Sequence, residues 1–481
     1  MIWLISLIFV TYFKTLFSKG VSDDITVHSE LRNKGFPLRF KEVNYNPFYL
    51  LHDSLWRLFK DKWVYHHIVN MFFFMGLVCS FYFVVQKFIP EKIAFLASLF
   101  FIVHPCNAQV GGWISGRNYG MSTLVGLWAL YFNNIALYIA TGFFACNMLG
   151  LPLLMDLSWP IKLLSMGLLF ILSLHKMLQS KGDQVISEGE YKKDSLKFYP
   201  RKLIVAIKSF GYYSSLALFP LKMGWFHELG EPIDNKLKSF NFHAILCVLL
   251  IASMFLFYGT PAFLGLVVFA IFIGPFSNIL SFGLFTSERY MCPALLGWSI
   301  FLAYTTVHYP IVATVIITAY FMRTQLELWA YRDDFTLALY SLLNFNKSGF
   351  AWCNLANFFL MSKRPSAAFD TLQEAIKQNP TFPTQYYQLY LMYRAVDLLH
   401  DYDKALEHLE RACHYGKHEA WYTELETFTA QLKEQRIKKF KESYAPKYPE
   451  VRQLRCSPQS VTSNDWEPIL GAVAAGGVVV R

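Results

Sequence analysis

The chain opens on MIWLISLIFVTYFKTLF, and apolar runs of this kind recur until about residue 323. About 20 mostly apolar residues, with about 17 as the usual lower limit, cross a bilayer as a helix. Lipid offers a backbone N–H or C=O no partner, so the segment must satisfy its own. By that measure roughly eleven segments qualify: 1–17, 66–88, 91–105, 119–133, 134–153, 159–175, 201–221, 241–258, 261–277, 289–308 and 309–323. Pro90, Pro152, Pro160, Pro220, Pro261 and Pro310 fall at or near segment ends, where a missing N–H does least harm. Composition points the same way: only 16% of the 481 residues are charged, against about 25% in soluble proteins. The pattern predicts an all-α polytopic membrane protein with about eleven transmembrane helices.

A net charge of +10 in such a chain serves topology and anionic headgroups. No basic run is interleaved with a nucleic-acid-binding module, so no nucleic acid partner is expected. Charge does not orient the chain, because the loops 18–65 and 176–200 are both basic. An odd number of spans puts the two ends on opposite sides. The first segment can serve as an uncleaved signal anchor, since no small-residue cleavage site precedes Asp23 and Asp24. Within 18–65, NPFYLLHDSLWRLFKDKW predicts a helix from Asn46–Pro47, with Phe48, Leu51, Leu55 and Phe59 on one face. That stripe suits a helix lying in the membrane interface and equally a helix packed on the protein. The eight cysteines show no CxxC or Cys/His spacing for zinc, and those in apolar runs read as small buried thiols.

Past residue 323 the character changes. In GFAWCNLANFFLMSKRPSAAFDTLQEAIKQNP, 349–380, Trp352, Leu355, Ala356, Phe359, Ala368, Leu372, Ala375 and Pro380 follow the 34-residue tetratricopeptide pattern of paired helices. A degenerate second copy carries Leu389, Tyr390, Tyr393, Ala405, Leu409 and Ala412. Repeats of this kind bury their apolar faces only against neighbours, so support is expected from flanking helices at 324–345 and 418–440 or from the membrane domain. The domain reading is 1–323 for the membrane domain, 324–440 for the repeats and 441–481 for an extended tail. The surface around Trp352, Tyr386 and Tyr393 is the expected site for a protein partner.

Three polar stretches interrupt the apolar pattern: VSDDITVHSE at 21–30, HPCNAQVGGWISGRNYG at 104–120 and TSERYMCP at 286–293. By the segment count they fall on one face of the membrane. A carboxylate at such a boundary can serve as a general base toward a hydroxyl; Asp23 and Asp24 can equally be a solvated loop or a helix cap. Arg117 and Arg289 have the geometry to bind phosphate; they can equally neutralise nearby carboxylates. Two adjacent aspartates are too few ligands to argue a metal, so none is assigned.

The order of an acidic pair after the first span, then YNPF, HHIVNMFFF, HPCNAQVGGWISGRNYGMSTL, YYSSLALFPL, SERYMCPALLGW and helical repeats resembles the transmembrane-and-tetratricopeptide O-mannosyltransferase family and its bacterial relatives, which have the GT-C glycosyltransferase fold. The resemblance runs over about residues 1–415. It implies transfer of a mannose-like hexose from a polyprenyl-phosphate donor to protein Ser or Thr, on the lumenal or periplasmic face of the endoplasmic reticulum or a bacterial inner membrane. It implies catalysis by Asp24 with Asp23, donor-phosphate binding by Arg117, Arg289 and His104, and no bound cofactor. It also puts the amino terminus inside and the repeats outside. One departure stands out: Asn147 and Met148 occupy the place of the family's Lys-Glu pair in the fifth span. That loss of charge is what an alternative predicts, a catalytically inactive GT-C-like assembly subunit that binds partners through its repeats.

Overall fold

The computed structural model describes residues 1–22, 24, 47–145, 148–179, 200–224, 242–277, 286–395, 401–416 and 419–444. Among these the fold is all-α, with no strand. Asp23, Asn147 and the tail from 445 onward lie outside the described residues. The described chain forms two units that divide between Phe345 and Asn346.

The first unit begins with α1 (Ile2–Tyr12), which tightens into a 3-10 turn over Phe13–Phe17. Then come α2 (Pro47–Phe59), α3 (Trp63–Val85), α4 (Glu91–Val103), the single turn α5 (Ala108–Gly111), α6 (Arg117–Phe132) and α7 (Ile135–Phe144). After these follow α8 (Trp159–Gln179), α9 (Pro200–Leu218), α10 (Phe242–Leu256), α11 (Pro261–Ile273), α12 (Cys292–Thr306), α13 (Pro310–Ala330) and α14 (Asp334–Asn344). Each apolar run of the sequence becomes a helix, but prolines and glycines cut most of them short. Among the described residues, two helices, α3 and α13, are long and apolar enough to cross a membrane, and a third candidate results if α4 and the segment Pro105–Gly111, bent by 62°, count as one. At about 1.5 Å per residue, the 13 residues of α11 reach about 20 Å, short of a hydrocarbon core about 30 Å thick.

The core of this unit is apolar and aromatic, with Leu77, Phe81, Phe100, Leu266, Phe269 and Leu295 buried together. Close helix approach depends on small residues where α11 meets α12. A Cβ on Gly265 would lie 2.5 Å from the Gly297 carbonyl oxygen, and one on Gly297 would lie 2.3 Å from that of Gly265. The outward faces are also apolar: Val248, Phe255 and Leu256 on α10 and Ile311, Val315 and Met322 on α13 are exposed. At the end of α13, Glu327 Oε1 lies 2.6 Å from Arg323 Nη1 and accepts a hydrogen bond from the Tyr340 hydroxyl of α14. This bond ties α14 to α13 within the first unit, which ends at Phe345.

The second unit holds two consecutive helix pairs, α15 (Gly349–Met361) with α16 (Pro365–Gln378) and α17 (Pro383–Ala395) with α18 (Tyr402–Gly416), followed by α19 (Glu419–Tyr444). Ala356, Ala368, Leu372, Leu389, Ala405, Leu409 and Ala412 are fully buried between the helices. Glu424 of α19 braces α17 by accepting from the Tyr387 hydroxyl at 2.7 Å, the Tyr390 hydroxyl at 2.8 Å and Arg394 at 3.1 Å.

Tyr386 and Tyr393 do not lie where a partner surface requires them. Both are buried: Tyr386 donates to the Pro380 carbonyl at 2.8 Å, and Tyr393 stacks on His408 at 5.3 Å between centroids. Helical spacing assigns a residue to a face, but it does not say whether that face meets a neighbouring helix or solvent. Trp352 is half-buried, its indole N–H donating to the Asn346 carbonyl at 2.8 Å.

Candidate functional site

The loop that leaves the first apolar helix turns sharply back into the protein. Lys19 N–H donates to the Arg332 carbonyl at 2.9 Å, and Val21 is buried with Trp113, Tyr331 and Leu337. Ser22 takes a left-handed backbone conformation, φ 55°, which non-glycine residues seldom adopt. The turn carries Asp24 inside, where it is fully buried.

Asp24 meets the loop that follows α4. Its Oδ1 accepts from the Ser115 N–H at 2.8 Å and from the Ser115 hydroxyl, and its Oδ2 accepts from the Val21 N–H at 3.2 Å. Burial pushes the Asp24 carboxyl up to about 7, against the opposing pull of these hydrogen bonds and of the Arg117 charge. A carboxylate has room for about four acceptor bonds, and three of these come from described residues.

Local sequence explains how Arg117 comes to act on this carboxyl through its charge. Pro105 ends α4, and a Cβ on Gly116 would lie 1.9 Å from the Gln109 carbonyl oxygen. Only a glycine permits that approach, and α6 starts at the next residue. Arg117 is buried, with Nε donating to the Ile114 carbonyl at 2.9 Å and Nη2 to the His66 carbonyl at 3.5 Å. Its Nη1 has no hydrogen-bond partner among the described residues. A buried donor in that state is uncommon and marks a place where a ligand or water can bind.

Trp113 joins this group to Arg289. Its indole N–H donates to the Val21 carbonyl at 3.3 Å, while its ring lies 5.2 Å from the Arg289 guanidinium. Tyr119 at 5.6 Å and Tyr290 at 5.7 Å complete an aromatic surround for that cation, an arrangement favoured by ring quadrupoles. Beneath it, Gln109 is a junction that Arg117 and Asp24 do not share. Its amide N–H donates to Glu288 Oε2 at 2.6 Å, and its carbonyl oxygen accepts from Arg289 N–H at 3.2 Å and the Ser287 hydroxyl at 3.3 Å. Glu288 also accepts from Gly224 N–H at 3.0 Å. Glu288 thus fastens three segments together.

The geometry gives His104 a different part from the one expected of it. Its Nδ1 accepts from Cys106 N–H at 3.3 Å, so Nε2 is the donor to the Ala217 carbonyl at 3.0 Å. Both ring nitrogens are used by backbone, and the ring caps the turn after α4 instead of facing a phosphate. Asp24, Ser115, Arg117, Trp113 and Arg289 are therefore brought together, and Asp23 lies outside the described residues. Ser115 and Trp113 were not legible as site residues, because only the fold pairs them with residues more than 90 positions away. Among the described residues no three His, Cys, Asp or Glu side chains gather as a metal site. The chain matches no family model, no curated protein and no solved structure.

Chemically, the group is a carboxyl able to hold or release a proton near neutrality, within the field of the Arg117 guanidinium, and linked through Trp113 to a second guanidinium on Arg289. Such a pairing fits proton abstraction from a hydroxyl combined with stabilisation of an anionic leaving group.

Proposed function

We propose that the chain is a membrane glycosyltransferase that moves a mannose-like hexose from a polyprenyl-phosphate carrier to Ser or Thr of a protein. In this reading the short apolar helices join the long ones in a GT-C-like membrane domain of about eleven segments. Exposed apolar side chains on α10 and α13 support immersion of these helices in lipid. The helix pairs after residue 348 act as tetratricopeptide-like repeats that present the acceptor. The reaction faces the lumen of the endoplasmic reticulum or the periplasm of a bacterial inner membrane.

Asp24 takes the proton from the acceptor hydroxyl as its oxygen bonds to the anomeric carbon. The bond from that carbon to the phosphate oxygen breaks, and polyprenyl phosphate leaves with the electron pair. Arg117 and Arg289 balance the charge that grows on the phosphate. The observation that carries this reading is Asp24 itself: a fully buried carboxyl, pushed up to about 7, within the field of Arg117. A base of that pKa suits proton transfer at neutral pH.

A second reading, an inactive assembly subunit, is favoured by the bonds that Asp24 makes to Ser115 and Val21, which close a loop whether or not chemistry follows. The two separate in a reconstituted assay. Protein in lipid nanodiscs would be given a radiolabelled polyprenyl-phosphate hexose and a Ser/Thr peptide. The transferase reading predicts labelled peptide from the wild type and a loss of about 100-fold or more in Asp24→Asn. Equal labelling by both proteins, or none by the wild type with any hexose donor, rejects it.

A further inference from the structure

The residues that shape the Asp24 turn come from the far end of the unit. Asp334, the first residue of α14, accepts a hydrogen bond from Ser22 N–H at 2.7 Å through its Oδ1, across 312 positions of sequence. Ser22 is the residue held at positive φ, and an L side chain needs a reason to remain there. Asp333, its neighbour, is occupied separately: its carboxylate caps α14 through Thr336 N–H at 2.9 Å. The two aspartates therefore divide the work, one holding the helix and the other holding the Ser22 turn. A second tether, Lys19 N–H to the Arg332 carbonyl, brings the same two segments together.

We propose that Asp334 is a positioning residue for Asp24: by accepting the Ser22 N–H it holds the left-handed turn that delivers the Asp24 carboxyl to Ser115 and the field of Arg117. It touches no substrate. Its catalytic meaning rests on the transferase reading, while its effect on Asp24 does not. Among the described residues, the charged groups around the pair include Arg117, whose field reaches Asp24, and Asp333 beside Asp334 with Arg332 3.8 Å from Asp333. Burial also pushes the Asp334 carboxyl up to about 6.

The test uses the full chain in nanodiscs and a membrane-permeant carbodiimide, which modifies protonated carboxyl groups; modified Asp24 is read by peptide mass spectrometry across pH. Wild-type labelling should fall by half near pH 7. Asp334→Ala removes the acceptor, lets water reach Asp24, and should move the midpoint down by a pH unit or more. Asp334→Asn keeps an acceptor oxygen and should keep the wild-type midpoint. Should Asp334→Ala fail to insert, Asp334→Ser replaces it, since its hydroxyl is too short to reach Ser22. A wild-type midpoint in an inserted Ala or Ser variant overturns the proposal, as does a midpoint in Asp334→Asn that moves as far as in Ala. In the transfer assay, Ala should lower kcat about tenfold with the donor KM within about twofold, and Asn should restore it. Shifted midpoints without transfer by any protein would reject the transferase reading and leave the positioning role standing.

Discussion

At the scale of single residues, the turn at Ser22 is the detail that carries Asp24, the expected base of the acidic pair, into the protein. Asp24 is buried against Ser115, and its raised pKa gives a signed expectation for pH. A base works when deprotonated, so kcat/KM should rise with pH through about 7 and level off above it. A profile that is flat from pH 5 to 9 would remove Asp24 from the chemistry. Stability should move the opposite way. Between the ordinary 3.8 and about 7 the folded carboxyl holds more protons than the unfolded one. The contribution of this group is therefore fully present at low pH and is lost as pH rises through about 7. Arg117→Lys should recover little of the donor affinity lost in Arg117→Ala, because an ammonium cannot make the paired contacts of a guanidinium; full recovery in donor-binding measurements would contradict a bidentate phosphate contact. The carboxylate and the arginines were legible because charge is costly beside apolar segments. Ser115, Trp113 and Asp334 were not, since their importance comes from pairings across 91 to 312 positions.

Among the elements, apolar runs announced nearly every helix of the first unit, and the repeat spacing announced both helix pairs of the second. What the runs did not reveal was length. The run 134–153 folds as α7 ending at Phe144, followed by a 3-10 turn at Leu151–Leu153. Hydropathy alone cannot show where a chain turns inside an apolar stretch, and the bend after α4 has the same origin in Pro105. Glycine contacts were equally hidden. Gly265 and Gly297 meet across α11 and α12, as small residues do where helices pack closely in lipid. Gly297→Ala forces backbone apart at that crossing and should destabilise by about 1–3 kcal/mol. Thermal unfolding in detergent checks it, and an unchanged midpoint would show that the crossing relaxes freely. Tyr386 and Tyr393, both buried, add the complementary point that an aromatic at repeat spacing is as readily a brace between helices as a surface for partners.

For the whole molecule, the helical fold of the described residues, two or three helices long and apolar enough to cross a membrane, and the exposed apolar faces are compatible with a membrane environment. The proposed chemistry ties that environment to a task, because a polyprenyl carrier keeps its sugar-phosphate at the bilayer surface, where a boundary carboxyl such as Asp24 can act on it. Under the O-mannosyltransferase resemblance, Asn147 and Met148 would stand in place of a charged pair and argue for the inactive reading; Met148 is buried against Gly126 as a packing residue. The burial of Asp24 beside Arg117 argues for retained activity. The most direct test is mass spectrometry of exported proteins from cells carrying either the wild-type chain or Asp24→Asn at matched, membrane-inserted levels. The account predicts hexose-sized mass additions on defined Ser or Thr peptides in wild-type cells and their disappearance with Asp24→Asn. Identical glycopeptides in both would contradict it and leave Asp24 as a structural tie within an assembly protein.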